Sequence, residues 1–318
     1  MSASRRAFIA VAALSGVLGL AGCASINAPT QAVAAPVADA GLFFDDFSQR
    51  DAAGLAKDGW ILRAKPGHPG IEGAAWGPDT VTLVDDIERP GNRLLRLVAR
   101  TDGSVQGTAH AQLCHARKFF EGTYAARVRF NDKPAVGPDG DVVVQTFYVV
   151  SPLRFDFDPE YSELDWEYLP NGGWGDARTR LYGVTWQTVR IDPWKAYNQP
   201  LQLFRSVDGW HVLMMQVAEG KTRFFLDGVQ LDQHGGRNYP AVPMSLSFNL
   251  WFSPGGLMPN SNALRIYQQD IDWVFHARNR VLSPAEVEAA VQAWRTNGTA
   301  HTDSVPAANP PLVSSCDF

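Results

Sequence analysis

The chain is poor in the residues that build metal and cofactor sites. It has three cysteines in 318 residues with no paired C-x-x-C, its seven histidines show no metal-ligand spacing, and it contains no glycine loop of the nucleotide-binding type. These absences remove zinc and nucleotide chemistry. Positive charge is scarce too: 28 Lys and Arg stand against 33 Asp and Glu, a net charge of −5, with no basic patch of the kind that holds nucleic acid. Residues 41 to 276 hold no convincing amphipathic helix, which sets aside helical and α/β folds.

The first 22 residues read as an export signal that is excluded from the fold. Arg5 and Arg6 precede an apolar run too short and too quickly ended for a membrane span. SRRAFIA resembles the twin-arginine export motif, although Ala10 stands where a basic residue usually follows. LAGC, residues 20 to 23, resembles a bacterial lipobox, which implies that Cys23 is lipidated, becomes the mature N-terminus and anchors the protein to a membrane outside the cytoplasm. Ordinary cleavage with Cys23 free is the other reading. Residues 23 to 40 are rich in Ala, Pro and polar residues without periodicity and read as a flexible tether. Loss of residues 1 to 22 leaves 26 basic against 33 acidic residues, a net −7. Cys114 and Cys316 then remain in an oxidising compartment as candidates for a disulfide, which their separation in sequence does not settle.

What the chain has in quantity is flat rings and short strands. Ten Trp, eight Tyr and 17 Phe supply both a sandwich core and surfaces for stacking on a ligand. RLLRLVAR, GTYAARVRF, DVVVQTFYVV, GWHVLMMQV, TRFFLDGVQL and MSLSFNLWF are β-like runs punctuated by Gly, Pro, Asp and Asn. So many strands without helices between them predict an all-β sandwich of two antiparallel sheets over residues 41 to 278. Asp227 and Gly228 form a hairpin turn. The period changes after residue 280. Ser283 as N-cap, Pro284 at the first helical position and Glu286 completing a capping box start a helix with Val287, Ala290, Val291 and Trp294 on one face. Residues 279 to 318 are therefore a C-terminal helix and a polar, Pro-rich tail.

YSELDWEYLPNGGW, residues 161 to 174, places Glu163, Asp165 and Glu167 at alternate positions, with Leu164 and Trp166 between them. That is the period of a strand with one acidic and one hydrophobic face. Like charges on one strand face repel, and a carboxylate withdrawn from water beside another has its pKa raised. Such a row is either a solvated outer face or a chemical site.

ELDWE resembles the E-x-D-x-E signature of glycoside hydrolase family 16, the laminarinases, lichenases and their relatives. FFEGTYAARVRF resembles the strand that this family places upstream of its carboxylates, and DGWHVLMMQVAEGKTRFFLDGV resembles its later strand and hairpin. PMSLSFNLWFS resembles its Leu-Trp strand and IDWVF its final strand, so the likeness runs from about residue 41 to 276. It implies a concanavalin-like β-jelly roll whose concave sheet forms a sugar-binding cleft. One departure is Ala125, where relatives of lichenase often carry an acid two residues before the arginine, here Arg127.

The resemblance assigns Glu163 as nucleophile, Glu167 as general acid/base and Asp165 as hydrogen-bonding partner of the nucleophile. A retaining glycosidase needs two carboxyl groups about 5 to 5.5 Å apart. Cα atoms at i and i+4 in a strand lie about 13 to 14 Å apart, a gap that two leaning Glu side chains and concave curvature narrow. A straight strand also permits the wider inverting separation, so retention rests partly on the resemblance. Repulsion within the trio is expected to keep Glu167 protonated, with a mildly acidic to neutral optimum. Trp186 and Trp251 are candidates for sugar stacking or for the core. Arg127 is a candidate for contacting a sugar or orienting Glu163, or for a surface salt bridge, and Gln145 and Phe147 share a strand face that is expected to line the cleft. Asp272 matches the position where several relatives hold a structural Ca²⁺; no cofactor is required for the chemistry. The expected function is a monomeric, retaining endo-glycosidase acting on β-1,3- or mixed-linked glucan. A transglycosylase on the same scaffold and a non-catalytic carbohydrate-binding sandwich are the alternatives.

Overall fold

The computed structural model describes residues 41 to 313 and Cys316. The export signal, Cys23 and the tether lie outside the described residues. A strand that alternates polar and apolar side chains has to bury its apolar face against a second layer, and here two sheets do so face to face. One sheet runs in spatial order Trp60–Leu62, Ala109–His115, Ser245–Phe252, Val143–Val150, Glu163–Leu169, Arg180–Arg190 and Lys195–Leu203, all antiparallel. The other is built around the long strand Arg265–Arg278, which pairs with Gly122–Phe130 on one side and with Arg93–Thr101 and Leu42–Asp45 on the other. Gly209–Ala218, Lys221–Leu226 and Val229–Gly235 continue that sheet. This is the all-β jelly roll that the strand pattern and the resemblance imply.

The strand Glu163–Leu169 shows how the core holds the site. Leu164, Trp166 and Tyr168 are fully buried between the sheets. Trp166 meets Phe224 of the opposite sheet edge-on at 5.3 Å, and Tyr168 packs on Phe130 at 5.1 Å. Each such ring contributes about 2 to 3 kcal/mol by burial. A slip of one residue would turn all three carboxyl groups into this core, so the register is strongly specified.

The hairpin turn falls on Asp227 and Gly228, both with positive φ, as the tightest two-residue turn requires. The helix Pro284–Thr296 starts with the capping box of Ser283 and Glu286, and its Trp294 stacks on Phe44 at 4.8 Å. A second helix, Ala52–Lys57, was not expected; six residues capped by Asp51 are too few to show a helical period. Cys114 and Cys316 are joined by a disulfide, and the Gln112 side chain donates to the Cys316 carbonyl at 2.7 Å. The bridge ties the tail to Ala109–His115. Its 202-residue separation limits the unfolded chain by about 5 kcal/mol in a chain-entropy account.

Candidate active site

The sheet containing Glu163–Leu169 carries a cleft of about 550 Å³ on its outer face, with Glu163, Asp165 and Glu167 on its floor. The cleft withdraws all three carboxyls from bulk water, and burial is the main cause of their altered acidity. It pushes Glu163 up to about 7, against donors from Tyr161 and Asp165 that lower it. Burial and then the charge of Glu163 push Glu167 up to about 8. Asp165 is raised well above the usual carboxylate range by burial and by the charges on either side. The Asp165 Oδ2 accepts from Trp186 Nε1 at 2.5 Å, which fixes how this carboxyl faces beside Glu163. Burial first, and then the repulsion from Glu163 that the sequence led us to expect, favour a proton on Glu167.

Trp186 and Trp251 both line the cleft, but neither is its exposed platform. Trp186 lies across the ladder from Glu163 and spends its N–H on Asp165. Trp251 is 7% exposed, with its face against Trp174 at 6.0 Å. The exposed rings are Trp174, 51% accessible, and Trp194, 57%, the latter between Trp186 and His68. Both sit in loops, where no periodicity marks them. Trp174 has φ of 53°, a backbone conformation that is strained for a bulky residue, and Arg180 donates to the carbonyls of Gly173 and Asp176 on either side of it.

Gln145 and Phe147 do not line the cleft. Phe147 packs in the core against Phe248 at 5.2 Å, and Gln145 exchanges hydrogen bonds with the Asn131 backbone at 3.0 and 2.7 Å. The cleft face of that strand is Thr146 and Tyr148, which lie across from Glu167 and Asp165. Both faces of Val143–Val150 are buried, so its sequence carries no alternation to show which side is which. Thr146 is held by Asn249, a further cleft residue, at 2.7 Å. Tyr161 also went unassigned, although it shares the odd-numbered positions of the trio; its hydroxyl donates to Glu163 Oε2.

Arg127 belongs to the other sheet, stacked 4.2 Å over Trp210, and touches neither the cleft nor Glu163. Its Nη1 donates to Asp272 Oδ2 at 2.8 Å. Asp272 is fully buried among donors: Oδ1 accepts from Asn92 at 2.8 Å and Arg295 at 2.7 Å, and Oδ2 also accepts from Arg89 and Arg295, each at 3.2 Å. Burial acts to raise its pKa, but Arg295, Asn92 and Arg127 outweigh it and hold the carboxyl below its usual range. Guanidinium groups offer no lone pair to a cation and repel it at this distance, so these residues do not fit a calcium ion. Among the described residues Asp45, Asp58 and His301 bring possible ligand atoms within 4.8 Å, but Gln49 and Trp60 already donate to these carboxylates.

The fold and site together define a jelly-roll sandwich with a row of buried carboxyls in a tryptophan-lined cleft. The sequence matches no family model and no curated protein. Solved structures share the fold. A β-glucanase from Bacillus licheniformis aligns at 15% identity over 75% of this chain and 99% of its own, with a TM-score of 0.52. A glycoside hydrolase family 16 endo-glucanase from Bacteroides ovatus aligns at 16% over 73% and 98%, TM-score 0.56. A variant of LamA from Z. galactanivorans, in complex with laminaritriose and laminaritetraose, aligns at 14% over 74% and 98%, TM-score 0.51. At such identities the likeness establishes the fold.

The guanidinium cluster around Asp272 gives a direct expectation. Thermal unfolding should have the same midpoint in a chelator and in millimolar calcium, whereas Arg295→Met should lower stability by about 1 to 3 kcal/mol through loss of charge-assisted hydrogen bonds. A rise in the wild-type midpoint on adding calcium would show that a metal site exists after all.

Proposed function

We propose that this protein is a retaining endo-glycosidase of the family 16 kind, cleaving β-1,3- or mixed-linked glucan. The observation that carries the reading is one row of carboxyls on the cleft floor, in which Glu163 accepts from the Tyr161 hydroxyl while burial and the charge of Glu163 favour a proton on Glu167. A nucleophile and an acid need those opposite states at one pH. In the first step a Glu163 oxygen attacks the anomeric carbon, the glycosidic C–O bond breaks, and the Glu167 proton passes to the leaving oxygen. In the second, water adds to that carbon, gives its proton to Glu167, and the electron pair of the ester bond returns to Glu163. Trp174 beyond one end of the strand and Trp194 near the other offer exposed faces to successive sugars, which supports cleavage within a chain. The glucan preference is supported by the structural neighbours, a β-glucanase and a LamA complex with laminaritriose and laminaritetraose. The protein acts as a monomer, exported by the twin-arginine route and held by lipid on Cys23; the RR and LAGC motifs support that placement.

Purified protein assayed against a panel of glucans and galactans should release oligosaccharides from a β-glucan, and Glu163→Gln should abolish that turnover with the fold intact. Glu167→Ala should recover activity with azide on an activated aryl glycoside, giving a β-glycosyl azide. Wild-type turnover in Glu163→Gln would remove the assignment, and an inverted azide product from Glu167→Ala would exchange the two roles.

The pH dependence follows from the same two groups. Glu163 must lose its proton, so kcat/KM should rise with pH through about 7; Glu167 must keep its proton, so kcat/KM should fall through about 8. The optimum therefore lies between these values, on the alkaline side of the expectation from sequence. Burial raises the Asp165 carboxyl well above its usual range, so Asp165→Asn should leave the alkaline limb in place, and a limb moved to lower pH would show that Asp165 is charged.

Cys23→Ala should release the protein from the membrane fraction or leave it unprocessed, since stable anchoring needs more than one acyl chain. An unchanged membrane fraction would argue against the lipobox.

A further inference from the structure

We propose that Tyr161 is a positioning residue for Glu163, its hydroxyl fixing the orientation and the basicity of the attacking carboxylate. The inference rests on the glycosidase reading above. Tyr161 is 3% exposed in the wall of the cleft, and its hydroxyl donates to Glu163 Oε2. Its position is set before the strand begins. Tyr161 N donates to the Asp158 carbonyl at 3.2 Å, and the same carbonyl accepts from Thr188 Oγ1 at 2.8 Å. The Asp158 side chain is in turn clamped by Arg154 at 2.6 and 2.7 Å and by Glu160 N at 3.0 Å. On the other side, Ser162 exchanges hydrogen bonds with Ser151 at 2.9 and 2.8 Å, and its Oγ accepts from Ala241 N at 2.8 Å. A phenol carried on so constrained a backbone presents its proton at one place.

The groups around Glu163 make this donor matter. Its own strand contributes Asp165 and Glu167, the segment just before it Tyr161, Val143–Val150 contributes Tyr148, and Arg180–Arg190 contributes the uncharged Trp186. The loop before Gly70 brings His68, with Arg63 behind it. Among the described residues no Lys or Arg lines the cleft, so a neutral donor, the Tyr161 hydroxyl, acts against the burial of Glu163. Attack on the sugar consumes the carboxylate charge, and hydrolysis of the ester restores it. A donor already in place for the restored charge makes Glu163 a better leaving group in that second step, and it favours the ionised nucleophile in the free enzyme.

The test uses protein with carboxyl-labelled glutamate, with the Glu163 signal identified by its loss in Glu163→Gln. In Tyr161→Phe the titration midpoint of Glu163 should rise by about one pH unit, the size of one lost hydrogen bond to a charged group. The acid limb of kcat/KM on 2,4-dinitrophenyl laminaribioside should move with it. kcat and KM should fall together, by about tenfold, as ester hydrolysis becomes limiting. If Tyr161→Phe does not fold, 3,5-difluorotyrosine at position 161, a stronger donor of the same shape, should instead lower the midpoint. An unmoved Glu163 midpoint in a folded variant overturns the proposal. A wild-type protein that cleaves no glycan while the midpoint still shifts would overturn the glycosidase reading and leave the Tyr161–Glu163 linkage standing.

Discussion

Everything in the cleft depends on the two-residue alternation of one strand. Leu164, Trp166 and Tyr168 lock Glu163–Leu169 into the core, and because successive side chains point to opposite faces, the same lock aims Glu163, Asp165 and Glu167 outward. The precision of the acidic row is borrowed from the packing of the apolar row. The segment before the strand extends the arrangement by one more position, so that Tyr161 joins the row as a neutral donor.

Burial, more than repulsion, governs the chemistry of that row. Were the three groups in open water, each would ionise in the usual acidic range and the row would hold three charges. In the cleft, desolvation is the first cause of the shift for every one of them. Trp186 fixes which way the Asp165 carboxyl faces, and the Tyr161 hydroxyl supplies Glu163 with a neutral donor. Neutral partners on one side and none on the other then separate the end groups. The same i to i+4 spacing on an exposed strand would not do this.

The parts of the fold and site that were legible in the sequence are those whose cause is local. Alternation marked the acidic strand, Asp227-Gly228 marked its hairpin, and Ser283 to Glu286 marked the helix start, because each pattern states its own geometry. Gln145 and Phe147 were misread because a strand buried on both faces has no polar side to count from, and the polarity of Gln145 answers a backbone need at Asn131. Trp174 and Trp194 were invisible because loops have no period; what places them is tertiary, the stacking on Trp251 and the meeting with Trp186. For Arg127 the salt-bridge alternative holds, with Asp272, and the contact with a sugar or Glu163 does not. Its strand is recognisable from sequence, but which sheet it joins is decided by pairing with Arg265–Arg278 and Gly209–Ala218.

The two faces of the sandwich treat buried carboxyls in opposite ways, and each treatment excludes the other's function. On the sheet facing away from the cleft, Asp272 is surrounded by Arg89, Arg127 and Arg295, its acidity is strengthened, and Arg295 uses the pairing to fasten the C-terminal helix to the sheet. In the cleft, a single guanidinium at that distance from Glu167 would stabilise its ionised form and strip the proton that an acid catalyst must donate. Neutral phenol and indole donors can orient a carboxyl without contributing a full charge. Phenol and indole donors to the carboxyl row in the cleft, against guanidinium donors around Asp272, are therefore the electrostatic condition under which one strand can carry both an ionised and a protonated glutamate.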